Sequence, residues 1–324
     1  MDRYTLYGAE VSYFTGKARA YLRWKDVAFE ELPANADVFR SVILPNVGWP
    51  VIPVMKMPDG RIVQDTADII AHVEADHPDR PVLPEGEVQT FVSYLFQLFG
   101  DEWLVIAAMH YRWIYNEDWA YGEFGANSAP DLPPEKQYEI GKANGARFKG
   151  ALVPLGASET TFGAVEATYK QFLADFSRHL EVHPYLLGAR ASFGDFALIG
   201  PLYAHLYRDP KSGELMKSVA PGVADWVERC MAGEGKDGAL VAGDAIPETL
   251  FPILAWQMRD QLPLLEDTAT RLTEWARDQE PGAAVPRGLG ETTFTIGGAR
   301  GPCSARTFPL FRLQDALDVL DGMA

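Results

Sequence analysis

Cysteine is nearly missing from this sequence. Two occur in 324 residues, Cys230 and Cys303, with no CxxC pair and none before position 230. That excludes a disulfide-stapled scaffold and a CxxC redox centre, and it points to a reducing compartment, the cytoplasm. Uninterrupted apolar runs are also lacking, so the sequence predicts no membrane span, and its start, MDRYTLYGAE, shows no apolar signal core. Basic residues are few. Lys and Arg total 29 against 45 Asp and Glu, a net charge of −16, which argues against a nucleic-acid partner because phosphate contacts need clustered cations. The six histidines form no HExxH motif. His179 and His183 share a helix face at i, i+4, but no third ligand follows, so no metal site is expected.

What is present fits a soluble globular chain, with 47% hydrophobic and 23% charged residues, and the length suits about two domains. The organising stretch is WPVIPVMKMPDGRIVQDTADIIAHV, Trp49 to Val73. Val51, Ile52, Val54 and Met55 read as a strand. Pro58, Asp59 and Gly60 supply turn chemistry, and Arg61 to Gln64 return as a second strand. Thr66, Ile69, Ile70 and Val73 then recur at helical spacing. Pro53 interrupts the first strand, which places it at an edge, a bulge or a strand start; base rates favour a trans peptide there, and a cis peptide is the alternative. Asp65-Thr66 stands at a helix start, where acceptor side chains cap and free amides bind anions.

Upstream, Tyr4 to Gly8 reads as a strand, Gly16 to Lys25 as a helix and Ala28 to Leu32 as a strand parallel to the first. Lys17, Arg19, Arg23 and Lys25 give that helix a basic face, expected to be solvated. Asn35 is expected to cap a short helix to Leu44. The order is β-α-β-α-β-β-α. Pro78, Pro81, Pro84 and Gly86 mark a linker. Beyond it, helices are expected from Val88 to about Tyr121, from Pro134 to Leu152 and from Ser158 to Val182, with a Gly- and Asn-rich loop over Asn116–Asp131. Ser192 and Asp195 have capping-box spacing ahead of an apolar helix. Near the end, Pro247 to Asp278 looks helical. Thr292 to Ile296 alternates like a strand, Phe308 to Arg312 is its expected partner around GGARGPCSA, and Leu313 to Leu320 reads as a closing helix.

A proline hairpin followed by an acidic/hydroxyl pair resembles the glutathione-binding half of the glutathione S-transferase family. SYFTGKAR, Ser12 to Arg19, resembles the Ser-Pro-x-x-x-Lys-Val-Arg run of its serine-type members, with Tyr13 in place of the proline. HPYLLGARASFGDFALIG resembles the Leu-x-Gly…Ser-x-x-Asp arrangement of the family's second domain. The resemblance covers roughly residues 4–231 and lapses beyond Ala232. It implies an α+β chain: a thioredoxin-like domain over 1–84, an all-helical domain over 88–231, and an extension over 232–324 packed on the helical domain.

The resemblance also implies chemistry. Pro53 is cis, and Ile52 pairs with the cysteinyl backbone of glutathione. Asp65 and Thr66, in place of the usual Glu-Ser, hold the γ-glutamyl group. Trp49 and Arg40 flank the glycyl end. Ser12 falls on the catalytic serine; Tyr13 is the rival hydroxyl, and Tyr4 and Tyr7 are weaker ones. A hydroxyl donating to sulfur lowers the thiol pKa, and a helix N-terminus beside it adds to the effect. The implied activity is glutathione transfer to a hydrophobic electrophile, without metal, in a homodimer. A non-catalytic glutathione-binding or interaction relative is the alternative. A thiol oxidoreductase is the weakest, for want of an early cysteine.

Overall fold

A computed structural model describes residues 3–323. The N-terminal part has the expected order. β1 (Tyr4–Gly8), α1 (Tyr13–Trp24) and β2 (Phe29–Pro33) are followed by a short helical segment. That segment runs as α2 (Ala36–Val38), a π turn (Phe39–Ile43) and α3 (Leu44–Val47). β3 (Val54–Lys56), β4 (Ile62–Gln64) and α4 (Thr66–Asp76) complete it. The strands align β2-β1-β3-β4, with β1 parallel to β2 and the other pairs antiparallel. This is the thioredoxin-like arrangement.

Alternation along the strands divides the core between two faces. Leu6, Met55 and Val63 lie in one cross-strand row and pack with Ala18, Tyr21 and Leu22 of α1 and Ile69, Ile70 and Val73 of α4. Val54 points the other way, against Ala34, Ile43 and Val47. β3 is shorter than expected: Val51 and Ile52 lie outside the ladder, because chain entry through Pro50 and Pro53 removes two donors.

The basic face of α1 is not solvated, contrary to expectation. Lys17, Arg19 and Lys25 are buried, each against carboxylates: Asp101, Glu31 with Glu10, and Glu74. Burial is tolerated here because every cation meets its counter-charge. Only Arg23 remains exposed.

The helical part comprises α5 (Glu87–Glu102), α6 (Val105–Tyr115), α7 (Glu117–Ser128), α8 (Pro134–Lys149), α9 (Leu152–Leu155) and α10 (Phe162–Leu180). α11 (Phe193–Pro201) runs on as a π turn to Tyr207, before α12 (Pro210–Val219) and α13 (Pro221–Ala232). The expected single helix to Tyr121 is therefore three. The expected loop at Asn116–Asp131 is the helix α7. Gly125 serves packing rather than turning: a side chain there would meet the Gln137 carbonyl of α8, as one on Gly141 of α8 would meet the Tyr121 carbonyl of α7. Gly100 of α5 similarly admits the Ala197 carbonyl of α11, at 2.7 Å from where a Cβ would stand.

Glu87–Tyr115 is long and apolar enough to cross a membrane by length and composition, but 83% of its apolar window is buried inside the protein. Its apolar residues therefore serve the core. The capping box forms: the buried Asp195 carboxylate accepts from the amides of Ser192 and Leu186 at 2.9 and 3.0 Å.

The C-terminal extension continues with α14 (Phe251–Asp260) and α15 (Leu262–Arg277). β5 (Gly288–Ile296) and β6 (Ala299–Arg306) form an antiparallel hairpin, and α16 (Phe308–Gly322) follows. Two expectations fail here. The partner of Thr292–Ile296 is β6, turning at Gly297-Gly298, both with positive φ, so most of GGARGPCSA is strand. Phe308–Arg312 is instead the first part of α16, started by Pro309 in a first-turn position that needs no amide donor. α16 lies along α5. The hairpin is fixed by Phe294 edge-on to Trp103 and by Arg306, which donates to Glu102 at 2.7 Å.

Candidate functional site

The sheet register gathers the residues that sequence reading singled out. Tyr7 pairs with Val54, and Val54 with Gln64. The chain leaving β1 toward Ser12, the chain entering β3 through Ile52-Pro53, and the chain leaving β4 into Asp65-Thr66 therefore meet at one end of the sheet. The Ile52–Pro53 peptide is cis.

Ser12 caps α1 in an extended conformation (φ −83°, ψ 128°), its Oγ accepting from the Thr15 amide at 3.3 Å. Its proton has no acceptor within reach among the described residues. The Tyr13 and Phe14 amides, first in the helix, have no intrahelical acceptor and give this end partial positive charge. Tyr13 sits at the first helical position, one that proline also fits, so the replacement keeps the cap. Its hydroxyl turns away from the sheet end: buried, it donates to the Gly100 carbonyl. Burial, with Asp101 and Glu102 nearby, pushes that phenol well above its ordinary pKa. Tyr4 donates to Asp76 at 2.8 Å; its phenol too is pushed up, chiefly by burial.

Asp65 caps α4 from a left-handed φ of 75°; Oδ1 accepts from the Ala67 amide at 2.9 Å. The same oxygen meets Arg312 of α16 at 2.8 Å. Thr66 is buried at the first position of α4. Trp49 is partly exposed, and the Arg287 guanidinium stacks on its ring, 3.9 Å from the centroid. Arg40 is not drawn into this group; it is exposed and pairs with Asp37 of its own segment.

Behind Ser12 lies a buried charge cluster. Lys17 contacts Asp101 at 2.6 Å, while the other Asp101 oxygen has no partner among the described residues. Burial raises the pKa values of Asp101 and Glu102, and Lys17 and Arg306 pull them back. Arg112 of α6 forks onto Asp209 at 2.8 and 2.7 Å and also donates to the Val11 carbonyl at 2.9 Å, fixing the turn that carries Ser12.

Both cysteines and His179 are built into the interior. Burial lifts the Cys230 thiol well above its ordinary pKa and Cys303 to about 11, so neither offers a thiolate at neutral pH. His179 has both ring nitrogens engaged, with Thr249 at 2.8 Å and the Tyr185 carbonyl at 3.1 Å. Among the described residues no group of three or more His, Cys, Asp and Glu is placed to hold a metal.

Arg112, Arg287 and Arg312 were missed in the sequence. No local motif marks them; Arg112 meets Asp209, Arg287 meets Trp49 and Arg312 meets Asp65 through tertiary packing.

Two family models match the chain. One describes the N-terminal domain of glutathione S-transferases and matches residues 6–81; the other describes their C-terminal domain and matches residues 153–234. Among solved structures, the chain is similar to a β-etherase from a Sphingobium species at 16% identity, covering 73% of this chain and 97% of that one with a TM-score of 0.52. It is also similar to a glutathione transferase from Phanerochaete chrysosporium at 18% identity, covering 74% and 100%, with a TM-score of 0.50. A search of curated protein sequences returns no match.

Proposed function

Because the chain belongs to the glutathione S-transferase family, we propose that it binds glutathione at the sheet end and activates the thiol for attack on a hydrophobic electrophile. The backbone of Ile52 takes the cysteinyl unit, Asp65 and Thr66 take the γ-glutamyl head, and Trp49 borders the glycyl end. The observation that carries this reading is the convergence of the Ser12 turn, Ile52-Pro53 and Asp65-Thr66 through the pairs Tyr7–Val54 and Val54–Gln64.

Ser12 donates its free proton to the sulfur. That hydrogen bond favours thiolate over thiol, and the start of α1 adds a favourable field. The thiol proton leaves to solvent, sulfur forms a bond to the electrophilic carbon, and the leaving group departs with the bonding pair. Tyr13 is not the donor in this reading, since its hydroxyl is committed to Gly100. The scarcity of cysteine in the sequence points to a reducing, cytoplasmic setting. The family resemblance supports a homodimer, which light scattering at micromolar concentration would test.

Calorimetric titration with glutathione, paired with a rate assay using an activated aryl halide, tests the function. Saturable binding and released halide support a transferase. Binding without turnover across a panel of electrophiles favours a non-catalytic relative, and absence of binding refutes both.

A further inference from the structure

The extension brings a guanidinium to each end of this site. Arg312 of α16 contacts Asp65 at 2.8 Å and Asp315 at 3.3 Å. Arg287, just before β5, lies over Trp49. Both hang from one short stretch: the Thr307 amide donates to the Arg287 carbonyl at 3.2 Å and its hydroxyl to the Pro286 carbonyl at 2.6 Å. Arg306, one residue earlier, ties that stretch to Glu102. The pair is thus held by a fixed unit.

The ligand's chemistry matches this layout. Glutathione has a carboxylate at each end and an ammonium beside only one of them. We infer that the extension supplies the carboxylate receptors of the tripeptide site, Arg312 for the γ-glutamyl carboxylate and Arg287 for the glycyl carboxylate. The inference rests on the glutathione-binding reading above.

At the γ-glutamyl end, Asp65 spends Oδ1 on the Ala67 amide and Arg312, while Oδ2 has no partner among the described residues. The head group's ammonium can therefore reach Oδ2 without breaking the Arg312 pair. Arg312 has five donors, of which the contacts to Asp65 and Asp315 use only part. Phe308 and Phe311 hold its plane, with centroids 5.2 and 5.0 Å away. A forked, oriented guanidinium suits a carboxylate. At the glycyl end, Arg287 is pinned by stacking, and among the described residues no carboxylate lies within ion-pair distance of it. On a chain of net charge −16, a positioned cation with no counter-charge is left open to an anion.

The test is calorimetry on the full chain with two probes: glutathione, and its glycyl monoethyl ester, which lacks the glycyl carboxylate. Wild type is expected to prefer glutathione. Arg287→Met is expected to weaken glutathione roughly five- to tenfold and to bind the two probes alike. Arg312→Met is expected to weaken both probes by the same factor, roughly tenfold to a hundredfold. If that variant fails to fold, Arg312→Lys keeps the charge, loses the fork and should still weaken both probes several-fold. An Arg287→Met protein that still discriminates the ester overturns the glycyl half. Unchanged or tighter binding in the Arg312 variant overturns the other half and makes α16 a plug. If wild type binds neither probe, the glutathione reading itself fails, and the inference with it.

Discussion

Arg112 donates to the carbonyl of Val11 at 2.9 Å, so a buried guanidinium of the helical domain holds the residue that precedes Ser12. The same side chain is forked onto Asp209, which is itself fully buried. The turn presenting the candidate catalytic hydroxyl is thus set by both domains.

Arg112→Met should leave Asp209 charged and unpaired in the interior. The expected loss is about 3–5 kcal/mol of stability, read from denaturant unfolding. The double variant Arg112→Met, Asp209→Leu should recover much of it, because the uncompensated charge is gone. Equal losses in the single and double variants would show that the charge is not the cause.

Thr66→Ala should weaken glutathione binding, since one hydrogen bond to a charged group is lost. About 1.5–3 kcal/mol is expected, or roughly tenfold to a hundredfold in Kd by calorimetry. Unchanged affinity would remove Thr66 from the γ-glutamyl subsite.

His179 gives a pH signature. Burial lowers its pKa from 6.5 to about 4, so the folded state keeps it neutral. Between those values the unfolded chain binds a proton that the folded chain does not, and stability must fall as pH falls through 6.5. Asp195, raised to about 6 by burial, works in the opposite sense, so the useful quantity is a difference between proteins. Taking wild type from pH 7 to pH 5 should cost roughly 1–2 kcal/mol more than the same step costs His179→Gln. Parallel stability curves would contradict this.

The thioredoxin-like order, the proline hairpin and the Asn35, Asp65 and Ser192 caps were legible because each depends on near neighbours, whereas the cis bond at Ile52–Pro53 followed only from the family resemblance. Periodicity and capping are local signals. The errors came where distant partners decide. Lys17 and Arg19 looked like a solvated face because Asp101 and Glu31 are not neighbours in sequence. Gly125 of α7 looked like a turn residue because α8, whose close approach it permits, lies beyond a loop. Phe308 to Arg312 has strand-like composition, but Pro309 and tertiary packing on α5 make it helical. The site was half legible for the same reason. Ser12, Ile52, Asp65 and Thr66 belong to local motifs, whereas Arg287 and Arg312 reach theirs across the fold.

The most direct test is the thiol pKa of bound glutathione in wild type and Ser12→Ala, followed by the ultraviolet absorbance of the thiolate. Loss of the Ser12 hydrogen bond should raise that pKa by roughly one to two units and slow transfer, with Kd nearly unchanged. Tyr13→Phe is the control. Its hydroxyl serves Gly100, so it should lower stability and leave the thiol pKa alone. A thiol pKa unmoved by Ser12→Ala, or moved by Tyr13→Phe instead, would contradict the account.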